Sequence, residues 1–192
     1  MTGISLQFEL RDEEARRRLQ EMLDRMDNRR PFLEAVGDRL VRAASDSFRN
    51  ERAPDGTPWT PLAARTIQNR IRKGQVPLTI LRSNTRIGSS LAGSINRVAT
   101  NDEVRVGSPV AYAAIHQLGG TIRKPARQAK IYRLKDANGT VGLRFVKRET
   151  ANHVTDVTIP AHSITIPARP FLGVSATDRA AIIEDAEDWL TR

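Results

Sequence analysis

Three histidines are the residues of this 192-residue chain best suited to acid–base or metal chemistry near neutral pH, namely His116, His153 and His162. A zinc site would need a further ligand at a spacing such as H-x-x-x-H, and no two of the three histidines stand at such a spacing. The sequence also lacks a G-x-S-x-G elbow, a P-loop and a dinucleotide-binding glycine pattern. We therefore predict no catalytic site, no metal and no cofactor, with an enzyme of unrecognised type as the remaining alternative.

Carboxylates and thiols offer no better starting point for catalysis. The only acidic residues between Asp55 and Asp136 are the adjacent Asp102 and Glu103, so a two-carboxylate site would need the acidic terminal helices. The chain contains no cysteine, which excludes disulfides, thiolate metal sites and a cysteine nucleophile and fits a reducing cytoplasm. No apolar run approaches the roughly 18 residues of a membrane span, and the first residues lack the features of a secretory signal, so we expect a soluble, untargeted protein.

His116 lies in the segment GSPVAYAAIHQLGG, residues 107–120. Large side chains three residues apart share one face of a helix here: Tyr112, Ile115 and Leu118. Alanines such as Ala113 let another backbone approach closely, and Gly119 ends the helix in the left-handed conformation that glycine tolerates. We predict a short helix packed against a sheet or another subunit, with His116 as a structural group and a ligand or base as the alternative.

Positive charge is concentrated in the middle of the chain. The net charge is +9, but residues 56–135 contain 14 basic and two acidic residues, while the rest contains 17 basic and 20 acidic ones. The densest run comprises Arg123, Lys124, Arg127, Lys130, Arg133 and Lys135. It includes one aromatic residue, Tyr132, so nucleic-acid binding would use phosphate contacts without base readout. The alternatives are an arm lying on a neighbouring protein and a solvated basic face.

Apolar periodicity predicts a strand and two amphipathic helices in the first fifty residues. The strand over residues 3–10 alternates four apolar side chains: Ile4, Leu6, Phe8 and Leu10. Asp12 caps the first helix, whose apolar stripe is Leu19, Met22, Leu23 and Met26. Pro31 lies near the start of the second helix, whose buried stripe is Leu33, Val36, Leu40, Ala44 and Phe48. Both stripes need a sheet or each other to cover them.

Proline and glycine signals divide the middle of the chain into shorter elements. The PDG segment at 54–56 predicts a turn. Thr60 and Pro61 predict the cap and first residue of a helix that ends at Gly74. A short helical turn is expected around Leu91.

Two hairpins follow in the pattern of strand residues. Residues 94–99 and 104–107 flank a TNDE turn. Residues 130–135 and 141–147 flank Asn138-Gly139, a strong hairpin turn signal.

The C-terminal region combines an extended segment with a helix. Residues 164–173, ITIPARPFLG, are rich in proline and are predicted to be extended. Ser175 and Asp178 form a capping box for the last helix. Its apolar stripe is Ile182, Ile183, Ala186, Trp189 and Leu190, and its outer acidic face is Glu184, Asp185, Glu187 and Asp188.

The pattern of elements predicts an α+β fold with a curved, mostly antiparallel sheet flanked by helices. We expect one domain over residues 1–192, with a strand and two helices in 1–50. The sheet and short helices occupy 51–173, with an extended basic insertion at 121–163, and a helix over 175–191 ends the chain.

Four landmarks in this order resemble the virion morphogenesis, or tail completion, family of tailed bacteriophages, which includes the morphogenesis protein of Mu-like phages. They are PDGTPWTPL (54–62), the ILR…SSLAGSI region (80–95), VGSPVAYAAIHQLGG (106–120) and IPARPFLGVS (166–175). The resemblance covers roughly residues 30–190. A central T-G-x-L motif of relatives corresponds to Thr85–Gly88, which departs from it, and residues 121–163 are longer and more basic than the common core.

The resemblance implies a non-enzymatic structural protein of the virion with a small α+β fold. It further implies a homo-oligomeric ring, usually sixfold, at the head–tail junction, assembled in the host cytoplasm. Its partners would be a tail terminator, tail tube or neck and connector protein. DNA passing through the ring is a further contact that the resemblance allows, and sequence-independent DNA binding is the alternative function.

Candidate interface or packing residues within these landmarks are Trp59, Tyr112, Ala113, His116, Gly119, Arg169, Phe171 and Leu172. The proline-restricted segment can present Phe171 and Leu172 as anchors at low entropic cost, and Arg169 can pair with acids of a neighbour. The alternative for Phe171 is a core position beneath the C-terminal helix, and for Trp59 a lid over the core.

Overall fold

The computed structural model describes residues 12–82 and 90–191. The predicted strand over residues 3–10 and the Thr85–Gly88 motif lie outside the described residues. The chain forms two compact units: a main unit of residues 1–118 and 168–192, and an insertion of residues 119–167 between its two parts.

Five α-helices form in the described ranges, four of them in the positions that the sequence predicts. They are α1 (Glu13–Asp27), α2 (Arg30–Asn50), α3 (Ala64–Arg72), α4 (Ala113–Leu118) and α5 (Ala176–Thr191). The carboxylate of Asp12 accepts a hydrogen bond from the backbone N–H of Ala15 at 2.9 Å, which confirms the predicted cap of α1. Ser175 and Asp178 exchange the bonds of a capping box at α5, since each side chain accepts from the other's backbone N–H.

The seven strands of the described residues form three separate antiparallel sheets rather than one curved sheet. The strands are β1 (Asn96–Ala99), β2 (Val104–Gly107), β3 (Gly120–Lys124), β4 (Arg127–Lys135), β5 (Val141–Phe145), β6 (His153–Ile159) and β7 (His162–Ile166). Their pairings are β1 with β2, β3 with β7, and the order β5-β4-β6. The α+β class with antiparallel strands and helices near both ends is confirmed. Within residues 12–82 and 90–191, no helix has the length and apolar character needed to cross a membrane.

The core of the main unit is built around two phenylalanines from distant parts of the chain. Phe48, at the end of α2, lies 4.9 Å from Phe171 between ring centroids, and both are 1% exposed. Trp59 meets Phe48 edge-on at 5.7 Å, an arrangement that aromatic rings prefer. Ile80 and Leu91 complete the buried cluster. The predicted buried stripe of α2 is therefore confirmed at its C-terminal end.

The hairpin of β1 and β2 packs against α2 where that helix has a glycine. A Cβ atom at Gly37 would lie 2.5 Å from Cδ of Arg97 and 2.8 Å from Cγ2 of Val104. The Arg97 guanidinium is held by both carboxylate oxygens of Asp38, at 2.6 and 3.0 Å. The absence of a side chain at Gly37 is what lets the hairpin approach the helix so closely.

The helix α3 begins three residues later than the sequence predicts. Its N-cap is Ala63, without a side-chain cap, so the expected cap at Thr60 with Pro61 as first helical residue is wrong. The backbone carbonyls of Thr60 and Pro61 instead accept hydrogen bonds from Arg169, both at 2.9 Å. A contact with the far end of the chain thus outweighs the local capping signal. Gly74 follows the helix with φ +66°, as expected for its end.

The stripe of α1 stays exposed, contrary to the expectation that a sheet or helix covers it. Its four apolar residues Leu19, Met22, Leu23 and Met26 are all exposed. Arg25 donates to the backbone carbonyls of Trp189 and Leu190, so a polar contact joins α1 to the end of α5.

Two positions of α5 also differ from the prediction. Ile183, predicted in the apolar stripe, is exposed. Asp185, predicted on the outer acidic face, accepts two hydrogen bonds from Arg39 of α2. The charged pair turns Asp185 inward and leaves Glu184 and Glu187 on the outer surface.

The insertion is a two-stranded ribbon with a third strand on one side. In the first sheet Lys124 pairs with His162, and in the second Arg127 pairs with Ile159. Arg127 comes three residues after Lys124, and Ile159 comes three residues before His162, so the same register continues from one sheet into the other. Pro125 and Pro160 separate the sheets and cannot donate ladder hydrogen bonds. The predicted hairpin of β4 and β5 is confirmed, and its turn has φ +86° at Gly139.

Replacing Gly37 with leucine tests the close approach of α2 and the hairpin. Leucine is a better helix former than glycine, so any loss must come from packing. We expect the free energy of unfolding to fall by about 1–3 kcal/mol, measured by urea denaturation. Ala35→Leu, at an exposed position of the same helix, is the control and should change it by less than about 0.5 kcal/mol. Equal effects of the two substitutions would contradict this account.

Candidate interaction surfaces

The short helix α4 turns a different face inward from the one its spacing suggests. Tyr112 is 46% exposed, Leu118 is 77% exposed and Ile115 is half-buried, so the predicted face of large side chains is not covered within the chain, and its packing against another subunit stays a prediction. The inward side carries Ala113, which packs against the core cluster, and the half-buried His116. The predicted glycine stop is confirmed, because Gly119 has φ +71°.

The reason for this orientation is the extended segment 168–172, which lies along the inward side of α4. The backbone N–H of Arg169 donates to the carbonyl of His116 at 2.7 Å. The side chain of Gln117 accepts from the N–H groups of Phe171 and Leu172, both at 3.0 Å, and donates to the carbonyl of Leu172 at 2.8 Å. One amide thereby satisfies three backbone groups of a segment that has no strand partner among the described residues.

Gln117 is a structural position of this site that sequence reasoning missed. Its only sequence signal is an amide side chain within a short, mostly apolar helix, and many surface glutamines show the same pattern. What distinguishes it is the distance along the chain to its partners, which only the folded structure reveals.

Arg169 and Trp59 hold the same segment from its other side. Arg169 is buried and donates from Nε to the carbonyl of Thr60 and from Nη2 to that of Pro61. Trp59 donates from its indole nitrogen to the carbonyl of Pro170 at 2.8 Å. The sequence predicts that Arg169 pairs with acidic residues of a neighbouring subunit. In the structure its guanidinium is already hydrogen-bonded within the chain.

The candidates Trp59, Phe171 and Leu172 are placed in or beside the core of the main unit. Trp59 and Phe171 belong to the buried cluster, and Leu172 packs against it. Phe171 lies against Phe48 of α2, and the buried cluster to which both belong includes no residue of the C-terminal helix. These side chains therefore stabilise the fold of a single chain.

His116 is held in an environment that disfavours its charged form. Its ring meets that of Tyr112 edge-on, with centroids 5.9 Å apart. Burial lowers the pKa of His116 below its usual value, and the positive charge of Arg169 lowers it further. Its Nδ1 is shielded from solvent and has no hydrogen-bond partner among the described residues. No carboxylate that could orient it as a base contacts it there.

The described part of the chain contains no group of three or more His, Cys, Asp or Glu residues arranged to hold a metal ion. The predicted histidines remain apart: His116 lies on α4, while His153 and His162 begin β6 and β7 of the insertion.

All six predicted basic residues lie on two consecutive strands of the insertion. Arg123 and Lys124 belong to β3, and Arg127, Lys130, Arg133 and Lys135 belong to β4. Because side chains alternate along a strand, Lys130 lies on the opposite face of β4 from the three others. The guanidinium carbon of Arg133 lies 5.4 Å from the ring centroid of Phe145, a cation–π contact.

Large apolar side chains accompany these cations. Leu143 and Phe145 of β5 are 88% and 66% exposed, and Leu134, Val154 and Ile164 are exposed as well. Phe145 lies on the same face as Arg133, whereas Leu134 and Val154 lie on the opposite face, so both faces of the sheet expose apolar side chains that a protein partner could cover.

Comparison with known proteins gives one match. A family model described as the phage virion morphogenesis family matches residues 10–191. No curated protein and no solved structure matches the chain.

Replacing Gln117 with alanine tests the attachment of segment 168–172. The substitution leaves two N–H groups and one carbonyl of that segment without partners, so the free energy of unfolding should fall by about 1–3 kcal/mol. Gln20→Ala on α1, where the amide donates to the exposed carboxylate of Asp24, is the matched control. A loss at position 117 no larger than at position 20, measured in urea, would show that the amide is dispensable.

The lowered pKa of His116 predicts a pH dependence of stability. Below its ordinary value of 6.5, the unfolded chain takes up a proton that the folded chain resists. The free energy of unfolding should therefore fall as the pH drops through the ordinary histidine pKa toward the lowered pKa of the folded chain, and His116→Gln should flatten this slope. His162→Gln, at an exposed position, is the control. Identical slopes for wild type and His116→Gln would refute the assignment.

Proposed function

The chain belongs to the phage virion morphogenesis family, a family of structural and assembly proteins, and from this premise we propose that it forms a ring at the head-proximal end of the phage tail. In that position it acts as a tail completion or neck component that makes tails competent to join filled heads. Family membership by itself indicates a virion-associated protein, and the ring and its position are the proposal.

The observation that carries the proposal is the exposed apolar and basic surface of the insertion. Leu143 and Phe145 are both large and mostly exposed, and Arg133 and Lys135 lie on the strand next to them. A monomer gains nothing from such a surface, whereas a subunit contact buries it. The core of the main unit, by contrast, is completed by residues of the same chain.

A ring requires each subunit to present two different, complementary surfaces, because a closed rotational arrangement uses the same contact repeatedly. The insertion supplies one surface. Trp59, Arg169 and Phe171 do not supply the other, since their side chains are bound within the chain. The partners that fit this position are further copies of this chain, most simply six, together with a tail terminator, tail tube or neck protein.

Sequence-independent DNA binding is the second candidate function. The insertion contains nine basic and three acidic residues, an excess that suits contact with phosphates. This excess is also compatible with a ring whose insertion faces passing DNA. The combination with exposed apolar side chains favours a protein partner as the primary contact.

Removing most of the insertion separates assembly from folding. Thr121 and Thr165 are directly paired, so an Asn-Gly turn can join them in place of residues 122–164. We expect the shortened chain to keep cooperative unfolding, because its core is intact, and to lose the multimer that the full chain forms at micromolar concentration in sedimentation experiments.

Infection provides the second readout of the same experiment. Phage carrying the shortened gene should accumulate filled heads and unjoined tails in electron micrographs. A full chain that stays monomeric, together with a phage that joins heads to tails without it, would overturn the proposal. A monomer that binds duplex DNA with a steep loss at rising salt would favour the second candidate.

A further inference from the structure

One face of the insertion groups two cations and an exposed aromatic ring. Arg133 and Phe145 are directly paired across β4 and β5, so they lie on the same face of the sheet. Lys135 is two residues further along β4, past an irregularity in the β4–β5 pairing, and the alternation of side chains along β4 puts it on the same side about 7 Å away. We refer to Arg133, Lys135 and Phe145 as the cationic face.

One face of α5 has the complementary composition. The helix carries five acidic residues and one basic residue. Glu184 and Glu187 are exposed and three residues apart, which places them about 5–6 Å from each other on one side of the helix. Ile183 is exposed beside them and is one of the large apolar residues that the fold leaves uncovered. We refer to Ile183, Glu184 and Glu187 as the acidic face.

The two faces match in charge, in spacing and in the position of their apolar residue. Each has two like charges separated by about 5–7 Å, and each has one exposed apolar side chain next to them. We propose that the cationic face of one copy docks on the acidic face of α5 in the next copy. This inference rests on the proposed ring and names the two surfaces that close it.

The composition of the two faces suits a specific but reversible contact. Phe145 and Ile183 bury apolar area, which supplies affinity, while the paired charges steer the approach and exclude like-charged surfaces. Because the two faces differ, the contact is heterologous and propagates from copy to copy until the rotation closes. A nucleic acid, in contrast, would be repelled by α5 and would use the cationic face alone.

The absence of cysteine from the chain makes the contact directly testable by cross-linking. Thr155→Cys places a thiol on β6 opposite Ile131, on the cationic side of the sheet, and Ala180→Cys places one on α5 a turn before Glu184. The two single variants are mixed and treated with a short bismaleimide, so any heterodimer must join two chains. We expect efficient cross-linking in low salt and a large decrease in 1 M salt, where the Debye length falls from about 10 Å to about 3 Å.

Thr158→Cys is the matched control for Thr155→Cys. It is the same residue type on the same strand, also exposed and also bonded through its hydroxyl, but it pairs with Gln128 on the other face of the sheet. Mixed with Ala180→Cys, it should give little cross-linked product. Equal yields from Thr155→Cys and Thr158→Cys would overturn the proposed docking.

Charge reversal gives an independent readout. Glu184→Lys with Glu187→Lys should weaken self-association at least roughly tenfold in sedimentation, because like charges then face each other. Adding Arg133→Glu with Lys135→Glu should restore it. A chain that assembles with unchanged affinity after the first reversal, or fails to recover after the second, contradicts this contact but leaves the ring standing. A wild-type chain that never self-associates removes both proposals, and cationic-face variants that lose only DNA binding reassign that face to nucleic acid.

Discussion

The packing of Phe171 against Phe48 is the constraint on which the main unit depends. The two rings come from the end of α2 and from a segment more than a hundred residues later, and the whole insertion lies between them in sequence. The core can close only if the chain returns to the main unit immediately after β7. The direct pairing of Gly120 with Ile166 ensures this return, because it brings the two ends of the insertion together.

The returning segment is extended and proline-rich, so it can neither form a helix nor join a strand ladder fully. Its backbone groups must still be satisfied as it enters the core. Side chains provide the partners, since Gln117 binds two N–H groups and a carbonyl, and Trp59 binds the carbonyl of Pro170. Arg169 in turn fixes the backbone before α3. This network explains why residues that resemble interface anchors in the sequence serve folding instead.

The insertion adds surface to a fold that is already complete. Its cations and exposed apolar residues have no role in the core cluster, and its register is set by its own strand pairs. The excess positive charge of the insertion and the excess negative charge of α5 divide the chain into complementary parts. This division is the charge pattern on which the proposed docking between copies of the chain rests.

Local signals in the sequence determined most of the secondary structure. The cap at Asp12, the capping box at Ser175 and the Asn138-Gly139 turn depend on residues within a few positions of each other, and each is found where the pattern predicts. The absence of cysteine by itself excluded any thiolate site. The order of four motifs sufficed to indicate the family.

The tertiary structure alone decided which faces are buried. Three-residue spacing shows that Tyr112, Ile115 and Leu118 share a side of α4, but the same spacing is compatible with a buried or an exposed side. The hydrogen bonds of Gln117 decide which side of α4 is buried, and its partners lie 54 and 55 residues away. The start of α3 was decided in the same way by Arg169, 109 residues from Thr60. Periodicity and capping report the conformation of neighbouring residues, whereas burial depends on contacts between residues far apart in the chain.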